Sequence, residues 1–154
     1  MDTMTPIRPT ARAPRSISLT AGPAAAAEAR REVEAAICAF DIPIDPSVAV
    51  LLTSELVTNA ITHATGGTAL LVVSCACGQL RVDVHDTSRS LPVAADAPAD
   101  AEAGRGLMLV ASLSTEWGFY RTPAGKAVYF TLAFDSDPDE ASDRTPLRGH
   151  SRVR

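Results

Sequence analysis

No stretch of this chain approaches the ~20 consecutive apolar residues that a membrane-spanning helix requires, and its first residues form no continuous hydrophobic segment of the secretory kind. Cysteine is scarce. Cys38, Cys75 and Cys77 make an odd set of three, with no CxxC pair and no histidine at a metal-ligand spacing. Cys75 and Cys77 would share one side of a strand, where neighbouring cysteines rarely bridge, so a disulfide scaffold and a zinc site are both set aside. A basic stripe is missing too: 14 Lys and Arg stand against 18 Asp and Glu, for a net charge of −4 and a pI near 5.3. Such a balance argues against nucleic acid as a direct partner. There is no GxxxxGKS/T loop, and no glycine fingerprint follows directly on a strand, which excludes the P-loop and Rossmann solutions. Internal repeats are also absent. These absences describe a cytoplasmic protein in a reducing compartment, without membrane, metal cluster or disulfide framework.

What remains is ordinary globular composition, 46% hydrophobic with much of that alanine, and 21% charged. The length of 154 residues suits one domain with a sizeable core. Residues 1–14 carry Pro6, Pro9 and Pro14, with Arg8 and Arg12, and residues 135–154 are rich in Asp, Ser, Pro and Arg, including Arg148, Arg152 and Arg154. Both ends read as disordered tails flanking a single domain at residues 15–134. Within it, residues 15–20 alternate as a short edge strand, and the alanine-rich segment 23–40 reads as a helix. Asp45-Pro46 supplies an N-cap and a first-turn proline for a second helix running to about Ala64. Strands follow at 69–76 and 80–86 around the turn Cys77-Gly78-Gln79. Residues 88–103, with Pro92 and Pro98, read as a mobile loop; a short helix spans 107–113, and a hairpin joins 116–121 to 126–134 around Pro123-Ala124-Gly125. The order β-α-α-β-β-α-β-β predicts an α+β two-layer sandwich, a mixed sheet with helices on one face.

Three features carry chemistry. Glu55 and Asn59 stand four residues apart and share a helix face with Thr62, opposite an apolar face of Leu56, Val57, Ala60, Ile61 and Ala64. A solvated helix face would look the same, but the features downstream come in the order that a nucleotide pocket needs. In the strand 80–86, Leu80, Val82 and Val84 alternate with Arg81, Asp83 and His85, so Asp86 falls on the core parity. It either caps a turn or directs a carboxylate at a ligand donor such as an adenine amine. Gly104-Arg105-Gly106-Leu107 then opens a helix, where small residues admit a ligand, free N–H groups attract phosphate, and Arg105 adds charge-assisted hydrogen bonds. A plain loop-to-helix joint is the alternative. His63, His85 and His150 read as a surface, an outer-strand and a tail residue. Trp117, Phe119 and Tyr120 read as core and rim.

In this order the three features resemble the GHKL (Bergerat-fold, histidine-kinase-like) ATPase superfamily, and most closely its small anti-sigma-factor serine/threonine kinases of the RsbW/SpoIIAB type, over residues 15–134. Glu55-Leu56-Val57-Thr58-Asn59-Ala60 looks like the family's N box, which implies Glu55 as catalytic base and Asn59 as Mg²⁺ ligand. Asp86 takes the place of the aspartate that reads the adenine amine. Gly104, Arg105, Gly106 and Leu107 look like the glycine box at the phosphates and ATP lid. Gly125-Lys126-Ala127-Val128-Tyr129-Phe130 looks like the last strand of the fold. The resemblance implies ATP and Mg²⁺ as cofactors and phosphoryl transfer to a serine or threonine of an antagonist protein. It also implies control of transcription through a sigma factor, and a homodimer.

Two positions depart from the pattern. Asp86-Thr87-Ser88 replaces Asp-x-Gly, which puts Cβ atoms where backbone should hug the nucleotide. Lys126 stands where relatives carry threonine; on the parity of Val128 and Phe130 it points to the pocket side, either toward phosphate or snorkelling to solvent. The alternative function is a non-catalytic module of the same fold that only sequesters a sigma factor or another regulator. A sensor histidine kinase fits less well, because these 154 residues hold no counterpart of its phosphoacceptor helices.

Overall fold

The alternation and periodicity of the sequence resolve into regular elements in the computed structural model, which describes residues 13–63, 67–88 and 102–135. Along the chain these are β1 (Arg15–Thr20), α1 (Ala25–Phe40), α2 (Pro46–His63), β2 (Thr68–Ala76), β3 (Gln79–Asp86), α3 (Glu102–Leu113), β4 (Glu116–Thr122) and β5 (Gly125–Ala133). Nearly all of the proposed loop 88–103, and the tails apart from Ala13, Pro14 and Asp135, lie outside the described residues.

Local chemistry accounts for the element ends. The Ser47 N–H donates to Asp45 Oδ1 at 2.9 Å, so Asp45 caps α2 one residue ahead of its opening proline. α1 ends where Asp41 turns left-handed (φ 51°) and its N–H donates to the Cys38 carbonyl, a conformation that short polar side chains tolerate. β2 and β3 meet through Cys77 and Gly78, both at positive φ (54° and 72°), which matches the right-handed strand twist in a two-residue hairpin. α3 begins five residues ahead of the predicted Leu107. Gly104 and Gly106 therefore sit inside its N-terminal turns, where each costs about 1 kcal/mol relative to alanine. Leu107 and Val110, both buried, anchor the helix where it packs against α2.

The sheet order is β1-β2-β3-β5-β4, with β1 at an edge as expected. Every neighbouring pair is antiparallel, which corrects the expectation of a mixed sheet. The reason lies in the connections. Two helices between β1 and β2 return the chain antiparallel, and β2–β3 and β4–β5 are tight hairpins. β3 and β4 do run parallel across α3, but β5 is inserted between them. All three helices lie over one face, giving a two-layer α+β sandwich. Leu19, Leu71, Val73, Leu80, Val82, Val84 and Phe130 of the sheet meet Val33, Leu52, Val57 and Val110 of the helices, each at most 1% exposed. Full burial of such a side chain contributes about 1.5–3 kcal/mol. No described helix is long and apolar enough to cross a membrane.

Across the sheet from the helices, the odd positions of β3 face outward as predicted, but Asp83 there is buried. Its carboxylate accepts Arg81 Nε and Nη2 at 2.8 and 3.0 Å and the Tyr120 hydroxyl at 2.9 Å. Arg81 lies 4.1 Å over the Tyr129 ring, and the Tyr129 hydroxyl donates to Glu116 Oε1. Burial, then the hydrogen bond and charge of Asp83, hold the Tyr120 pKa above its ordinary value. Burial, then Glu116, raises Tyr129. Raised folded-state values mean a stabilising contribution that is complete below the ordinary tyrosine range and lost as pH climbs through the raised values. Tyr120 and Tyr129 are the chain's two tyrosines. An alkaline absorbance titration should therefore show both ionising above free tyrosine, with Asp83→Asn bringing Tyr120 partway down. Two unshifted titrations would contradict the network.

Candidate functional site

α2 is flanked by α1 and α3 and rests on β2, β3 and β5, so most of its circumference is apolar. Leu52, Leu56, Val57 and Ala60 are buried, whereas Glu55 and Asn59 are only half-buried and Thr62 is exposed. The polar stripe thus borders the core rather than facing fully into solvent. The Thr62 hydroxyl turns back to the Thr58 carbonyl at 2.7 Å. Among the described residues, Glu55 and Asn59 have no hydrogen-bond or ion-pair partner. A half-buried carboxylate and carboxamide one helical turn apart, with no internal partner, are available to a ligand.

Asp86 closes β3 on the helix-facing side, opposite Lys126 of β5 in the register. It caps a turn, as one of the two sequence alternatives expected. Its Oδ1 accepts the Ser88 N–H at 2.7 Å, closing an Asx-type turn, while its side chain is directed toward the helix layer and is 1% exposed. Lys126 neither reaches solvent nor stands apart: its side chain is 8% exposed, with Nζ 3.6 Å from Asp86 Oδ2. This is the single lysine of the chain, beside 13 arginines. Parity foretold that both side chains share a face, but only the pairing of β3 with β5 brings them together.

Gly125, read from the sequence as part of the hairpin turn and the start of the last strand, takes a further role here. A Cβ there would collide with the Asp86 carbonyl oxygen and lie 2.7 Å from Thr87 Cα. The backbone of β5 can therefore press against the end of β3, so close approach is supplied from the opposite strand where the Asp-x-Gly glycine is missing. The Gly125 N–H donates to Thr122 Oγ1 at 3.0 Å, fixing the β4–β5 turn. Loop-closing glycines next to a buried carboxylate are the signal that could have found it.

Gly104, Arg105, Gly106 and Leu107 lie in the N-terminal half of α3, with Leu107 buried; the Arg105 side chain lies outside the described residues. α2, carrying Glu55 and Asn59, packs on β3 and β5, carrying Asp86 and Lys126, and on α3. A separate cleft of about 370 Å³ touches Asp86 and Thr87 but is lined by Leu70, His85, Thr122 and Pro123. Leu70 and His85 pair in register on the outer face, so this cleft opens away from the helices. No group of three or more His, Cys, Asp or Glu among the described residues could hold a metal by itself. The carboxamide oxygen of Asn59 fits a hard divalent cation that is completed by water and substrate phosphates, which is how Mg²⁺ is usually held.

A family model described as "Histidine kinase-like ATPase domain" matches residues 19–132, from β1 to the end of β5. The chain is also similar to the crystal structure of the RsbU and RsbW domains of Rv1364c from Mycobacterium tuberculosis, with a TM-score of 0.60 and 22% identity over 79% of this chain. The match covers 32% of that longer chain, so the two share a fold over part of its length. No curated protein matches.

Proposed function

The chain belongs to the histidine kinase-like ATPase family, and from that premise we propose that it is an ATP-binding regulator, an anti-sigma factor with serine/threonine kinase activity toward an antagonist protein. The observation that carries this reading is Asp86, a buried carboxylate turned to the helix side at the end of β3, where an adenine amine finds an acceptor. Each remaining part has one role. Asn59 offers its carboxamide oxygen to Mg²⁺, and the backbone of Gly104–Gly106 and the charge of Arg105 meet phosphate. Glu55 takes the proton of the acceptor hydroxyl. ATP with Mg²⁺ would supply the transferable phosphoryl group.

A sequestering module without transfer is the second reading. It is favoured by Thr87-Ser88 in the glycine box and by the lysine already seated on Asp86. Calorimetric titration with ATP, with and without Mg²⁺, tests what the two readings share. Saturable binding that tightens with Mg²⁺ is expected, and no heat at any concentration would overturn the nucleotide assignment. Radiolabel transfer from ATP to a serine-bearing antagonist then separates kinase from sequestering module.

A further inference from the structure

We infer that Lys126 is a built-in competitor of the ligand: its ammonium occupies Asp86 in the free protein, and nucleotide binds only by displacing it. This rests on the nucleotide-binding reading above. Both oxygens of Asp86 are already engaged within the chain. Oδ1 accepts the Ser88 N–H at 2.7 Å, and Lys126 Nζ lies 3.6 Å from Oδ2, in a pair whose side chains are 1% and 8% exposed. Lys126 is not held by Asp86 alone. A base amine arriving at this carboxylate therefore finds its place taken by a full positive charge. A neutral N–H donor also gains less from a buried carboxylate than an ammonium does. The pair is closed to solvent as it stands. Opening it draws on the ligand's own binding energy, so the apparent affinity falls by the fraction of molecules in which the lysine has left.

The geometry makes the lysine the partner that moves. Asp86 is the last residue of β3 and Lys126 the second of β5, so the pair sits at the end of the sheet. Asp86 is fixed there by its turn to Ser88 and by Gly125, packed closely against its backbone. Lys126 reaches it on a flexible four-carbon stem, which can carry the ammonium past the strand end to water. The separation of 3.6 Å exceeds the ~2.7–3.2 Å of an N–H···O hydrogen bond, so the contact is a charge attraction without a directional bond to break. An arginine would grip the carboxylate with a planar two-pronged fork. In a chain with 13 arginines the latch is instead the single lysine, the cation that releases more readily.

Two measurements on the full chain test the latch. In calorimetry with ATP and Mg²⁺, Lys126→Thr should bind at least about tenfold more tightly than the wild type, although it is the less stable protein. A substitution that merely damages the fold lowers affinity instead. Equal or weaker binding by a Lys126→Thr protein that circular dichroism shows to be folded overturns the inference. The second measurement needs no variant and decides the matter if that one fails to fold. Acetylation of amines, read by mass spectrometry, reports on one side chain because the chain holds one lysine, with free lysine in solution as the rate standard. Lys126 should react slowly in the free protein and faster once ATP and Mg²⁺ saturate the site. Unchanged labelling, or protection by ATP, would mean that the ammonium stays in place, and the latch falls while nucleotide binding stands. If neither protein binds ATP, the nucleotide assignment itself falls.

Discussion

Replacing Glu55 with alanine should leave ATP binding and partner binding nearly intact while lowering label transfer to a serine-bearing antagonist by about 10²–10⁴, or roughly 3–5 kcal/mol of barrier. The separation follows from where the groups sit. In the proposed reading the base edge is met at the end of β3 by Asp86, and the phosphates are assigned to the start of α3. Glu55 lies on α2, half-buried and without an internal partner among the described residues. A carboxylate held by a structural ion pair would be a poor proton acceptor, and its removal would loosen the fold; neither applies here. Its exposure also predicts that Glu55→Ala unfolds at the same denaturant concentration as wild type. Single-turnover transfer and calorimetry on one preparation decide the matter. Equal losses in binding and transfer would make Glu55 a binding residue, and no transfer by the wild type would favour the sequestering module.

Breaking the Asp86–Lys126 pair from either side should cost about 3–5 kcal/mol of stability, because each single change removes one charge of a buried ion pair. Asp86→Asn retains an oxygen for the Ser88 N–H, so its loss reports the missing charge rather than the missing turn. Lys126→Met keeps the aliphatic stem and removes only the ammonium. The double variant removes both charges and should be more stable than the sum of the singles by about 2–3 kcal/mol. Urea denaturation of the four proteins measures this coupling. Additivity within about 0.5 kcal/mol would mean that the 3.6 Å approach does no energetic work. The pair also changes how Asp86→Asn must be read in binding experiments. Weaker nucleotide binding by that variant reflects both the lost acceptor and the displaced lysine, so the double variant is the proper reference.

Local chemistry made much of this molecule legible from residues alone. Asp45-Pro46 starts a helix because a side-chain oxygen and a fixed φ act within three residues, and Cys77-Gly78 reverses a strand because two positive φ values suffice. The alternation Leu80-Val82-Val84 assigns Asp86 to the helix side because a strand's period is two wherever it lies. Those signals, with Glu55 and Asn59 one turn apart, were enough to reach the family. Contacts between distant segments were not encoded in any such window. The insertion of β5 between β3 and β4 makes the sheet antiparallel throughout, although the connection through α3 alone suggests parallel neighbours. The burial of Asp83 depends on Arg81 and on the Tyr120 hydroxyl arriving from an outer strand. Glycine propensity placed the start of α3 too late, because packing of Leu107 and Val110 on α2 outweighs a cost of about 1 kcal/mol per glycine. Lys126 is the clearest case. The sequence determined that a lysine and an aspartate share a face, but whether that charge met phosphate, solvent or carboxylate was decided only by tertiary structure. A buried ammonium settles where an opposite charge lies within reach, and the register of β3 with β5 put Asp86 there.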